Sequence, residues 1–216
     1  MSNSVIAPAI LAENAEQYKE QVNKITGLVE RVHIDISDGE FAPTLTVGIP
    51  ELWAPEGWMI DIHAMVNDVA EYVPKLIALR PHMIIIHAEA TGDVKTALMQ
   101  IRQAGIMAGL ALLKPTVPRT VEELIKIADH VMIFSGELGR FGGTASLMQL
   151  EKIRLIKAIN PNVEIGWDGG VAVDNAYSLV QGGVNFLNVG GVIQKSSDPR
   201  AIFSRLQQEI NKTSVP

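Results

Sequence analysis

The chain has 216 residues, with 18 Lys and Arg against 24 Asp and Glu and a formal net charge of −6. One domain over residues 1–216 is the default at that length, and roughly 70% of the extended chain's surface can be buried, so a core forms without covalent staples. A hydrophobic share of 47% with 19% charged residues excludes a disordered chain, and the lack of any cysteine excludes disulfides, thiolate metal sites and cysteine nucleophiles.

Short β-rich runs alternate with helical patterns from one end to the other. The first strand is expected at residues 5–11, followed by Ala12-Glu13-Asn14 in place of a glycine-rich dinucleotide turn. The second covers 31–36, and the helical pattern after it, around 46–53, is weak because Pro50 and Pro55 interrupt it. The third covers 59–65 and the fourth 83–87. Behind the fourth, Val94, Ala97, Leu98, Ile101 and Ala104 share one helix face, with Asp93 as the N-cap and Gly105 just past the end. The fifth strand, 108–113, precedes Thr120-Val121-Glu122-Glu123, which has the spacing of a capping box. Strands six, seven and eight are expected at 130–134, 164–168 and 186–189, and the last helix opens at Asp198-Pro199, a cap followed by proline in the first turn.

Eight units of about 27 residues each hold one strand, one helix and two short loops. The alternation implies a parallel sheet with helices outside it, and eight repeats predict a closed (β/α)8 TIM barrel; a doubly wound open sheet is the rival. No linker or internal domain boundary interrupts the pattern. The longest near-apolar run, residues 106–113, is too short to span a bilayer, so no membrane partner is expected. No cluster of Lys and Arg stands out, so no nucleic-acid partner is expected either. Residues 1–4 show no signal-peptide pattern, and with the missing cysteines this makes the cytoplasm the expected location.

Barrel enzymes carry their chemistry at the C-terminal ends of the strands. Strand two ends His33-Ile34-Asp35, strand three contains Asp61-Ile62-His63, and strand seven ends at Asp168. Residues two apart on a strand share a face, so if Ile34 and Ile62 face the helices, His33, Asp35, His63 and Asp168 face the axis. Two imidazoles and two carboxylates suit a divalent metal such as zinc, manganese, iron(II) or cobalt; a single histidine there would more simply be a hydrogen-bonded core residue. Asp61 is better read as a residue that supports the ligands from behind, or as a lower-layer residue, than as a fifth ligand. Gly142-Gly143, Gly169-Gly170 and Gly190-Gly191 follow strands six, seven and eight. Each pair alone reads as an ordinary turn, but three in succession point to backbone amides that hold a phosphate. His87 and Glu89 are open between a second layer behind the site and a plain strand-end pair. Lys114 reads as solvated, Met65, Met107 and Phe134 as packing, and His82 and His130 as residues of the opposite rim.

These motifs together resemble the ribulose-phosphate 3-epimerase family over nearly the whole chain. Pro8-Ala9-Ile10-Leu11 is similar to that family's opening P-S-I-L, and residues 33–39 to H-V-D-V-M-D-G, with Phe41-Ala42-Pro43 after them. Residues 61–66 resemble D-V-H-L-M-V, His87-Ala88-Glu89 resembles H-x-E, and Leu113-Lys114-Pro115 resembles I-K-P. Phe141-Gly142-Gly143 and Asp168-Gly169-Gly170 match the F-G-G and D-G-G of strands six and seven. The resemblance implies a barrel with one bound divalent metal that epimerises a ketose phosphate at C3. It further implies metal ligands at His33, Asp35, His63 and Asp168, acid/base roles for Asp35 and Asp168, a small sugar phosphate as partner, and a homo-oligomer.

The departures fall around the substrate. Ala9 stands for the serine of P-S-I-L, Ser37 and Phe134 for two methionines, and Gly191 for the serine of the strand-eight G-S pair. The loop at 137–144 has one residue more than N-P-G-F-G-G-Q. The four implied ligands are intact, so the substrate is in question more than the reaction type. Decarboxylases and aldolase-type synthases of 3-keto-sugar phosphates use a lysine in D-x-K-x-x-D, and Asp35-Ile36-Ser37-Asp38 has none. A sugar-phosphate-binding protein without turnover is the third reading.

Overall fold

The computed structural model describes residues 4–212. Eight strands run β1 (Val5–Ile10), β2 (Arg31–Ser37), β3 (Met59–Met65), β4 (Met83–His87), β5 (Met107–Leu112), β6 (His130–Phe134), β7 (Glu164–Asp168) and β8 (Phe186–Val189). All pair in parallel with their sequence neighbours, and β1 pairs β8, so the sheet closes into a barrel and the open-sheet rival is excluded. The expected limits hold to within a residue at each end. The helices are α1 (Ala15–Ile25), α2 (Val69–Ala78), α3 (Val94–Gln103), α4 (Glu122–Ile127), α5 (Glu151–Ile159), α6 (Ala176–Gln181), α7 (Gly191–Gln194) and α8 (Pro199–Ile210). Between β2 and β3 only the short 3-10 turn Ile49–Glu51 forms, as its two prolines suggest. No described helix is long and apolar enough to cross a membrane.

Asp93 caps α3 through the Thr96 amide, and Asp198 caps α8 through the Ala201 amide. Gly105 follows α3 with φ at 76°, a left-handed turn that favours glycine. The expected capping box at Thr120 does not form. Pro118 opens a 3-10 turn over Pro118–Val121, and the Thr120 hydroxyl donates to the Val117 carbonyl at 2.8 Å. That leaves Val121 at the N-cap of α4, without a side-chain cap.

Alternation divides every strand into two faces. Ile34, Ile62, Ile84, Leu110, Val131, Ile165 and Leu187 face outward and pack against the helices in one core. Inside the barrel, Met83, Ile85, Ala111, Met132 and Phe134 form a separate apolar plug on the β4–β6 side. Below lies a charged floor. Arg31 Nε donates to Asp61 at 2.6 Å and Arg31 Nη2 to Glu164 at 3.3 Å, with the guanidinium 3.9 Å from the Phe186 ring centre. His82 closes on Asp61 at 2.7 Å and His130 on Glu164 at 2.6 Å. Asp61 is therefore a floor residue, as expected, and the two histidines of the far rim have a structural task. Gly166 makes room for His130, whose Nε2 would sit 2.2 Å from a Cβ there.

This floor has a pH signature. Burial works against the charged form of Glu164, but the hydrogen bond and charge of His130, with Arg31, outweigh it and hold the carboxyl down at about 2, against 4.5 when free. The stabilisation is thus complete above pH 4.5 and is lost as pH falls toward 2. Glu164→Gln should lower stability by roughly 2 kcal/mol at neutral pH. In denaturant melts the deficit should shrink in acid and vanish near the bottom of that window. A deficit that stayed constant with pH would rule out the ionised carboxylate as its source.

Candidate active site

The end of β2 supplies His33 and Asp35, the register of β3 sets His63 opposite Asp35, and β7 ends in Asp168. Asp35 Oδ1 lies 3.2 Å from His33 Nε2 and 2.8 Å from His63 Nδ1. Asp168 Oδ2 lies 3.8 Å from His33 Nε2 and 3.5 Å from His63 Nδ1. One ligand atom from each of the four lies within 4.8 Å of all the others, and both imidazoles are fully buried. The four residues singled out from strand geometry are thus brought together at the C-terminal rim.

The donor set fits a divalent cation: two imidazole nitrogens and two carboxylates converge without a lysine or arginine among them. The proton affinities of the two carboxylates are pushed in opposite directions. Burial alone would raise Asp35, but the charge and hydrogen bonds of His33 and His63 prevail and hold it well below the usual carboxylate range. Burial raises Asp168, the Asp35 charge raises it further, and its carboxyl is pushed up to about 6. Burial opposes charge on His33 too, yet Asp35 and Asp168 raise it.

His63 is held from behind. Its Nε2 lies 2.8 Å from Nε2 of His87, and His87 Nδ1 reaches Glu89 Oε2 at 3.3 Å. Glu89 Oε1 accepts from the Leu113 amide at 3.0 Å and from the Thr116 hydroxyl. Burial lowers His87 to about 4, so it is a neutral ring that bonds through both nitrogens. His87 and Glu89 are therefore both a strand-end pair and a second layer.

Above the cluster opens a cavity of about 510 Å³ with Asp35 and Asp168 among its lining residues. All six glycines read from the sequence (Gly142, Gly143, Gly169, Gly170, Gly190, Gly191) line it. Packing within the protein also requires several of them. A Cβ on Gly169 would lie 2.0 Å from the Gly136 amide nitrogen, and one on Gly170 2.2 Å from that of Ala145, so the β6 and β7 loops interlock there. At Gly190 the ring of Phe141 fills the space, 2.4 Å from where a Cβ would stand. Met65 and Phe134, expected as packing, also line the cavity; exposed Lys114 lines an adjoining groove with Pro43, Leu113 and Leu138, which shares Phe134 and Arg140 with the cavity.

Among the polar residues of the cavity wall that the sequence reading gave no role are Asn188 on β8, Arg140 in the loop after β6, and Lys195 after α7. Asn188 had a signal, since it shares the inward face with Phe186 by period two. The two cations had none, because loop positions carry no periodicity.

Among solved structures, 3-hexulose-6-phosphate synthase from Salmonella typhimurium superposes with a TM-score of 0.73 at 15% identity, over 95% of this chain and 97% of that one. KGPDC from Streptococcus mutans gives 0.71 at 13% identity, over 95% and 96%. At that identity the likeness establishes the barrel alone. The curated relatives are nearer. The chain is 28% identical to the ribulose-phosphate 3-epimerase of Aquifex aeolicus over 211 residues, 94% of this chain and 95% of the relative. It is 29% identical to the chloroplastic ribulose-5-phosphate-3-epimerase of Arabidopsis thaliana over 210 residues, 91% of this chain and 74% of the relative. The model of the ribulose-phosphate 3 epimerase family matches residues 5–194, and the chain belongs to that family.

Proposed function

We propose that the protein epimerises a ketose phosphate at C3 by two-base proton transfer. The observation that carries this reading is the pair of carboxylates, Asp35 from β2 and Asp168 from β7, with proton affinities pushed in opposite directions beside two buried histidines at one rim. The proton at C3 is acidified by the C2 carbonyl, and its removal leaves an ene-diolate. Inversion needs a base on one face of C3 and an acid on the other. An ionised Asp35 takes the proton while a protonated Asp168 delivers one, and the roles exchange in the reverse direction. His33, Asp35, His63 and Asp168 would hold a divalent cation, which when bound supplies Lewis-acid stabilisation of the developing oxyanion. Burial of both histidines keeps water from the cluster's lower side, and the apolar Phe134 and Met65 line the cavity wall. The glycine-lined mouth at Gly142-Gly143, Gly169-Gly170 and Gly190-Gly191 binds the phosphate through backbone amides. The lysine-dependent decarboxylase and aldolase reading gains nothing from the structure, since Ser37 lies buried in the acidic segment of β2.

The test is solvent isotope wash-in. In heavy water, D-ribulose 5-phosphate should gain one deuterium at C3 as it converts to its epimer, and free D-ribulose should react far more slowly. Equal rates for the phosphorylated and free ketose would remove the phosphate site. Absence of C3 exchange in the metal-loaded protein would remove the epimerase reading.

A further inference from the structure

Asn188 is the one polar side chain of β8, and it is 2% exposed. Its nitrogen donates only to the thioether of Met132, at 3.2 Å, a weak acceptor. Its oxygen is buried with no partner among the described residues. A buried amide in that state costs folding free energy, whereas an apolar side chain of the same shape would not. The same residue lines the cavity above the carboxylates. On the neighbouring strand its register partner is Asp168, and two residues on, just past the end of β8, stands Gly190 at the mouth. One strand residue spans about 3.3 Å, so Asn188 lies roughly 6–7 Å below the glycine pair and level with the acid/base groups.

We propose that the Asn188 carboxamide selects the substrate by accepting a hydrogen bond from the hydroxyl on C4. This rests on the ketose-phosphate reading above. In such a molecule C3 is held at Asp35 and Asp168 and the phosphate at the glycine-lined mouth. C4 is the carbon next to C3 on the phosphate side, and Asn188 brings a carboxamide with an unpartnered oxygen to the cavity wall beside C3, level with Asp168 and below Gly190. Asn188 is therefore a specificity residue, separate from the proton-transfer pair.

The experiment compares kcat/KM for D-ribulose 5-phosphate and its 4-deoxy analogue in the wild type, Asn188→Leu and Asn188→Ala. The ratio of the two substrates within one variant is independent of how much of that variant is folded. Wild type should prefer the 4-hydroxy compound by about 10–100-fold, the range for a buried partner left unpaired. Both variants should bring the ratio close to one, and Asn188→Leu should melt no lower than wild type. A wild-type ratio near one, or an undiminished ratio in both variants, would overturn the role of Asn188 while leaving the epimerase reading intact. Failure of the wild type to turn over either compound would overturn both.

Discussion

Asp35→Asn and Asp168→Asn should each lower epimerisation by about 10²–10⁴-fold or more while the barrel stays folded. An amide keeps the shape of the carboxyl but neither gives nor takes a proton at neutral pH. Asp35 is buried and Asp168 partly so, and both reach the two histidines, so any disturbance of the ligand cluster adds to the loss. The two variants should differ in what they retain. Asp35→Asn leaves Asp168 facing one side of C3, and Asp168→Asn leaves Asp35 facing the other. Each variant should therefore exchange the C3 proton of one epimer with solvent, slowly, without converting it, whereas wild type labels both epimers. The electrostatics predict an asymmetry as well. Asp168 is raised by burial first and by the Asp35 charge second, so removing that charge should bring its carboxyl down and leave a weaker base. Thermal melts of both variants should stay cooperative. Turnover within a few-fold of wild type for either one would show that its carboxylate moves no proton, and the two-base assignment would fail.

The site was legible because the strand period is two. In His33-Ile34-Asp35 and Asp61-Ile62-His63 the isoleucines take the helix-facing positions, which leaves the ionisable residues no face but the axis. Parallel register then sets Asp35 against His63. The period alone does not set which layer a residue joins. Asp61 and His63 occupy the same face of β3, yet one joins the floor with Arg31 and the other the metal-type cluster. Only their height along the barrel separates them, and that height is set by strand register. The capping box at Thr120 failed for a local reason, because Pro118 starts a tighter turn two residues earlier and the Thr120 hydroxyl donates to the Val117 carbonyl. The glycines after β7 illustrate a third kind of difficulty. Their residue type suits an anion-binding loop, but the approach of Gly136 and Ala145 to Gly169 and Gly170 demands glycine there whether or not an anion binds.

Removal of the metal is the other large effect expected. Protein purified without chelator should carry about one equivalent of a divalent metal per chain, and stripping it should reduce activity by more than about 100-fold, with recovery on adding zinc, manganese, iron(II) or cobalt. The apoprotein should also melt at a lower temperature, since a cation that binds only the folded cradle stabilises it by mass action. His63→Gln should abolish stoichiometric binding, because it removes a buried ligand at the centre of the cluster, 2.8 Å from Asp35. A subtler variant tests the layer behind it. Glu89→Gln touches none of the four ligands, yet it weakens the bonds from His87, Leu113 and Thr116 that fix the ring next to His63. Loss of such a supporting group typically lowers metal affinity by about 10–100-fold, and saturating metal should then restore most of the activity. The pH dependence follows from competition with protons. Asp35 and Asp168 raise His33, so its imidazole holds a proton more tightly than a free one. Metal affinity should therefore begin to fall above the ordinary histidine range and keep falling as pH drops through it. A chelated protein shown by elemental analysis to be metal-free, and still fully active, would sever the cluster from catalysis. The two carboxylates would then have to work with the histidines alone.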